Sequence, residues 1–221
     1  MTPPDADNRA DAPLTARVLL RREQLIDAME TLLSQGKLPE TMADLGRAAD
    51  MSTATTYRYF QSLEDVAQAY LVRTMTGLRD FSVQRPETGT ALLRVITRFW
   101  VGVVIEHGKV LVQVRSRRGF LERLHRQVPS TVLGVEARRR ALLGVLAEKH
   151  LSSQMLDEAA MLYNTMFDPR EILDLIQIRG FDADRVTHVL IGAFIAALKG
   201  WHAAVYDDQA SVLEIAVKER P

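Results

Sequence analysis

Residues 51–60 read Met51-Ser-Thr-Ala-Thr-Thr-Tyr-Arg-Tyr-Phe60. The first half is small side chains that cover almost no core, while two tyrosines, an arginine and a phenylalanine crowd its end. At helical spacing Thr56 and Phe60 fall one turn apart and face inward, which leaves Thr53, Ala54, Tyr57 and Arg58 on the outside. Such an outer face covers no core of its own. Small residues let backbone approach base edges, and a phenol hydroxyl and a guanidinium suit phosphate oxygens.

The flanking residues put this helix in a short unit. A first helix from Ala16 to Ser34 is expected to bury Val18, Leu25, Ile26, Met29, Leu32 and Leu33, and Gly36 stands where a left-handed C-cap stops it. Thr41 opens a second, short helix with Asp44 completing a capping box and Met42, Leu45, Ala48 and Ala49 facing inward. Asp50 ends that helix and Ser52 caps the next one. Ser62, with Glu64 and Asp65 behind it, caps a longer helix carrying Val66, Tyr70, Met75 and Leu78. Two short helices separated by a turn of about four residues form a helix-turn-helix, whose second helix can enter the major groove.

The stretch Ala48-Ala-Asp-Met-Ser-Thr-Ala-Thr-Thr-Tyr-Arg-Tyr-Phe-Gln-Ser-Leu-Glu64 resembles the DNA-binding motif of the TetR family of bacterial regulators. Thr55, Tyr57, Tyr59 and Phe60 match that family's pattern around its recognition helix. The resemblance covers roughly residues 18–71, and it implies an N-terminal three-helix DNA-binding domain followed by an all-helical effector-binding and dimerisation domain. The expected DNA-facing set is Thr41, Ser52, Thr53, Ala54, Thr55, Tyr57, Arg58 and Tyr59. Three positions depart from the pattern: Asp50 stands for a usual glycine, Thr56 for an aliphatic residue and Leu63 for a lysine that commonly contacts phosphate.

Helical spacing continues along the chain and no segment alternates with period 2, so the fold class is all-α. The expected boundaries are a disordered arm at 1–15, the helix-turn-helix domain at 16–62 and a helical ligand-binding and dimerisation domain at 63–221, with the helix from about 63 to 84 connecting the last two. Within the third part, helices are expected at Ala91–Glu106, in shorter pieces over 109–126, at Ser130–His150 and at Ser153–Phe167. Asp168-Pro169 starts another that closes at Gly180. Asp182 opens a long helix to about Tyr206, and a short one covers Ser211–Lys218. In the long helix Gly192, Ala193, Ala196, Ala197 and Gly200 leave room for close backbone approach, while Val186, Leu190, Phe194 and Trp201 serve another face. Apolar nearly all round from 189 to 198, it reads as covered on more than one side and as a subunit seam.

Trp100, Phe120, His125, Tyr163 and Met166 are the candidate effector-binding residues, for a small apolar or aromatic molecule, because aromatics and flexible methionines line adaptable pockets. They also fill ordinary cores. The run Arg115–Arg118 with Arg123, Arg126 and Arg138–Arg140 reads as a solvated face balanced by Glu122, Glu136 and Glu148, the alternative being a surface for an anionic effector or partner.

Composition bounds the remaining classes. The 221 residues are 47% hydrophobic and 25% charged, and 28 basic residues cancel 28 acidic ones, so attraction to polyanions must be local. From Met1 to Met75, eight basic residues face eleven acidic ones. No cysteine is present, which excludes disulfides, thiolate zinc sites and cysteine nucleophiles. The five histidines lack ligand spacing, so no metal or other cofactor is expected. Nucleophile-elbow, Walker, dinucleotide and zinc-helix patterns are absent, so no catalytic residue is assigned. Residues 1–12 form no export signal, and the apolar run at 189–198 is half of the ~20 residues that span a bilayer. The expectation is a cytoplasmic, non-enzymatic regulator, a homodimer on double-stranded palindromic DNA with no membrane partner. A non-catalytic helical adaptor for protein partners is the alternative.

Overall fold

The computed structural model describes residues 11–207, so the start of the expected arm and the short helix at 211–218 lie outside the described residues, while residues 11–15 of that arm are helical, not disordered. Within that span the chain is helical, with no strand. It divides into two compact units, one of residues 11–73 with Lys109–Arg115, the other of Thr74–Gly108 with residues 116–207.

The first unit is built on α1 (Asp11–Ser34), α2 (Met42–Ala48), α3 (Thr53–Tyr59) and the opening turns of α4 (Leu63–Val83). Gly36 at φ 74° closes α1: its amide donates to the Leu33 carbonyl and that of Lys37 to the Leu32 carbonyl, both at 2.9 Å. Leu25, Ile26, Met29 and Leu33 of α1, Met42 and Leu45 of α2, Phe60, and Val66 and Tyr70 of α4 are all buried. Arg73 holds three carboxylates of α1, Glu23 at 3.0 Å and Asp27 and Glu30 at 2.6 Å. Two expectations fail here. Val18 is exposed with Leu19 and Leu20; Ala48 is exposed, its expected place being taken by Gly46 and Met51.

The second unit contains the rest of α4, most of α5 (Gly89–Gln113), then α6 (Phe120–His125), α7 (Pro129–Glu148), α8 (Leu156–Met166), α9 (Pro169–Gln177) and α10 (Ala183–His202). Leu92 and Ile96 of α5, Leu142 and Val145 of α7, and Phe194 and Leu198 of α10 are among its fully buried side chains. The expected break near residue 106 does not occur. Gly108 lies within the helix, and a Cβ there would lie 2.9 Å from Leu173 Cδ1, so the glycine serves close packing and not a turn. The N-terminus of α5 is held by Glu148, whose carboxylate accepts from the Thr90 amide at 3.1 and 3.2 Å and from its hydroxyl at 2.5 Å.

Among the described residues, α10 is buried on one side only. Val186, Leu190, Ile191, Phe194 and Leu198 are buried, whereas Val189, Gly192, Ala193, Ala196 and Gly200 are exposed. Residues 183–206 are long and apolar enough to cross a bilayer by length and composition, and only 17% of an 18-residue apolar window within them is buried among the described residues. The reading of a helix covered on several sides therefore fails for a single chain.

Candidate nucleic-acid interface

Local chemistry places α2 and α3. The Thr41 hydroxyl accepts from the Asp44 amide at 3.2 Å, and the Asp44 carboxylate accepts from the Thr41 amide and hydroxyl, each at 2.9 Å. The Thr41 hydroxyl, then its amide, hold the Asp44 carboxyl below the ordinary aspartate range. At the other end of α2, Asp50 takes φ 52°, a geometry aspartate tolerates better than most residues, and the Met51 amide donates to the Gly46 carbonyl at 2.8 Å. The turn thus forms with aspartate in the glycine position. Ser52 then caps α3, its hydroxyl accepting from the Thr55 amide at 3.2 Å.

The two faces of α3 fall as its spacing requires. Thr56 and Phe60 are buried; Ser52, Thr53, Ala54, Tyr57 and Arg58 are exposed, and Thr55 and Tyr59 are half-buried. The Thr56 hydroxyl is not an orphan, since it donates to the Ser52 carbonyl at 3.1 Å. Gly46 is what lets α3 sit so close to α2. A Cβ at that position would lie 2.6 Å from Thr56 Oγ1 and 2.9 Å from the Met51 carbonyl oxygen.

The cations divide into structural and outward-facing ones. Arg22 donates from Nη1 to the Tyr59 carbonyl at 2.6 Å and lies 4.1 Å over the Phe60 ring, so it is a brace between α1 and the end of α3. No local signal reveals a partner 37 residues away. Arg47 pairs with Asp44, and Arg58 lies over the Tyr59 ring at 5.3 Å. Helix α3 itself carries no carboxylate. Of the eleven acidic residues counted in the sequence, Glu23, Asp27 and Glu30 are tied to Arg73 and Asp44 to Thr41 and Arg47.

Solved structures share this architecture. A tetR-family transcriptional regulator from Streptomyces coelicolor superposes with TM-score 0.56 over 91% of this chain and 90% of its own, at 20% identity. RolR, in complex with resorcinol, gives 0.58 over 83% and 90% at 19% identity. Thermus thermophilus FadR, a TetR-family repressor in complex with lauroyl-CoA, gives 0.54 over 79% and 93% at 18% identity.

The chain has the TetR-family fold.

No family model and no curated protein sequence matches it. In this TetR-like chain the second unit holds all five residues singled out for an effector. Trp100 and Tyr163 are buried and come together around Arg138, whose guanidinium carbon lies 5.5 Å from the first ring and 4.6 Å from the second. Trp100 Nε1 donates to the Phe167 carbonyl at 3.0 Å, and the Tyr163 and Thr97 hydroxyls are 3.1 Å apart. The Tyr163 ring also stacks on Phe167 at 4.0 Å and meets Phe194 edge-on at 5.8 Å. Phe120 and Met166 are half-buried and His125 is exposed. A cleft of about 790 Å³ opens elsewhere in the unit, lined by Phe81, Arg85, Arg94, Phe99 and Gly102 among others, and none of the five residues lines it.

The basic run is not one solvated face. Arg126 pairs with Glu122 at 3.1 Å, but Arg140 donates to the Ser82 and Arg85 carbonyls at 2.9 and 2.7 Å, and Arg138 is buried. Glu148 binds Thr90, so it balances no arginine of the run. Among the described residues no group of three or more histidine, aspartate or glutamate side chains is placed to hold a metal ion.

Proposed function

We propose that this protein is a transcriptional regulator that binds double-stranded DNA through α3 and is controlled by a small molecule bound in its second unit. The observation that carries the reading is the division of α3. Thr53 and Ala54 lie exposed beside Tyr57 and Arg58, on a helix whose opposite side is seated by Thr56 and Phe60. In this reading Thr53 and Ala54 face base edges, while Tyr57, Arg58 and the exposed caps Thr41 and Ser52 face the phosphates, with Thr55 and Tyr59 at the margin. The DNA-facing domain is residues 16–62 and the effector and dimerisation domain residues 63–221.

The regulator acts as a homodimer whose seam is the exposed side of α10, where Val189, Gly192, Ala193, Ala196 and Gly200 form an apolar strip of small residues. Burial of that strip against a second copy explains an apolar helix so little covered within one chain. A two-fold dimer reads a palindrome with half-sites about 10 bp apart. The proteins of this fold solved with resorcinol and with lauroyl-CoA support a small effector with an aromatic or apolar body. Effector binding favours a dimer whose two α3 helices no longer fit successive major grooves, which makes the protein a repressor released by its ligand. It works in the cytoplasm, with the DNA.

The test is a mobility-shift and footprinting experiment on the promoter of the protein's own gene. A protected palindrome, with affinity falling steeply as salt rises, is the expected result. Binding that ignores salt and sequence, or no binding, would favour the adaptor reading.

A further inference from the structure

One face of α5 lines the open cleft of the second unit. Arg94, Arg98, Gly102 and Glu106 follow one another at i, i+4 spacing, and Val95, Phe99 and Val103 run beside them, so the two rows form a trough along the helix. Phe81 of α4 adds to it, its ring stacked on that of Phe99 at 4.1 Å. Asp184 and Thr187 of α10 complete the lining, and all of these residues belong to the second unit. The trough holds space and not packed side chains: a Cβ on Gly102 would meet no atom within 4 Å, unlike one on Gly108 further along the same helix. Its volume of about 790 Å³ falls in the ~300–1,000 Å³ range of small-molecule sites.

Charge is unevenly spread along this trough. Arg98 is neutralised by Asp184, Nε to Oδ1 at 2.5 Å. Glu106 stands ~18 Å along the helix axis from Arg94, with His107 Nε2 3.6 Å from its carboxylate. Arg94 and Arg85 pair with no carboxylate among the described residues, and Arg85 Nε is buried with no acceptor. Arg85 is nonetheless fixed beside the apolar floor, because its guanidinium lies 4.2 Å over the Phe81 ring and Arg140 donates to its carbonyl at 2.7 Å. Two guanidiniums without a counter-ion, next to exposed apolar surface, are the chemistry that recognises an anion with an apolar body.

We infer that this trough is the effector site and that the effector is an amphipathic carboxylate. Its oxygens accept from Arg94 and Arg85, and its apolar body lies along Phe99, Gly102 and Val103. The inference rests on the effector half of the proposed function and names the place and the chemistry of that site.

The first experiment uses the full chain without DNA, so its failure leaves the DNA-binding reading standing. Calorimetry is recorded for octanoate, 4-phenylbutyrate and 2-naphthoate and for the corresponding neutral amides. At least one acid should bind saturably and ~10-fold or more tighter than its amide, since the charged head adds charge-assisted hydrogen bonds. Arg94→Gln and Arg85→Met should each remove most of that preference, whereas Arg139→Gln, an exposed cation outside the trough, should leave it intact. Gly102→Leu should abolish binding of acid and amide together with an unchanged or higher melting temperature, because the new side chain enters open space on a helix that favours leucine over glycine. In a second titration, with operator present, the same acid should bind ~5-fold or more weakly. The inference is overturned if none of the acids binds at ~1 mM, if acids and amides bind alike, if Gly102→Leu keeps full affinity, or if the operator leaves the acid's affinity unchanged. It is overturned equally if Gly102→Leu turns a dimer into monomers in sedimentation, since a second copy of the chain would then occupy the trough.

Discussion

Gly46→Ala sets two physical effects of opposite sign against each other at the contact that seats α3. Helix propensity alone favours alanine in α2 by about 1 kcal/mol. Against it stands the new Cβ, 2.6 Å from Thr56 Oγ1 and 2.9 Å from the Met51 carbonyl oxygen. The first neighbour is a side chain that can rotate only by giving up its bond to Ser52. The second is backbone, tied by the Met51 amide to Gly46 itself at 2.8 Å and by the left-handed Asp50 before it. Overpacking of this kind costs about 1–3 kcal/mol, and contact with backbone puts the site in the upper part of that range. The net result should be destabilisation of about 1–2 kcal/mol, or about 2–8 °C in the melting temperature of a chain this long. Thermal melts followed by circular dichroism measure it. Thr56→Ala in the Gly46→Ala background should recover only part of the loss, about 0.5–1 kcal/mol of coupling, because the Met51 carbonyl remains. A Gly46→Ala melt shifted upward by the amount propensity predicts would refute the close-approach argument. Operator affinity should fall together with stability, since α3 is displaced from its seat.

Tyr57→Phe should weaken specific and random duplex by similar factors, because a phosphate contact carries no sequence information, whereas changes at Thr53 should alter base preference; selection experiments with both variants separate the roles. Ala193→Glu should give folded monomers in sedimentation that no longer bind a palindrome, since two carboxylates facing each other across an apolar seam lose their water and repel. A variant that stays dimeric would move the seam off α10. The Thr90 hydroxyl, then its amide, hold the Glu148 carboxyl below the ordinary glutamate value of 4.5, so its contribution is present above that pH and is lost as pH falls through the lower folded-state value. Glu148→Gln should therefore cost at most about 1 kcal/mol near neutral pH, for a solvent-screened cap, and the melts of variant and parent should converge below pH 4.5.

The all-α class, the caps and the two faces of α3 were decided by the sequence itself. Gly36, the Thr41–Asp44 box, left-handed Asp50, Ser52, and Asp168 before Pro169 each act on backbone groups two to four residues away. Physics of that reach is written in residue order, and the alternation of buried Thr56 and Phe60 with exposed Tyr57 and Arg58 follows from helical spacing alone. The roles that needed the tertiary structure depend on partners far along the chain. Arg22 braces Tyr59 and Phe60, Gly108 makes room for Leu173, Glu148 caps α5 through Thr90, and Arg138 lies buried between Trp100 and Tyr163. An arginine looks the same in a sequence whether water or two aromatic rings surround it, because burial is a property of what packs around a residue and not of its neighbours in the chain. For the same reason the one-sided exposure of α10 appears only once the helices that cover its other face are in place.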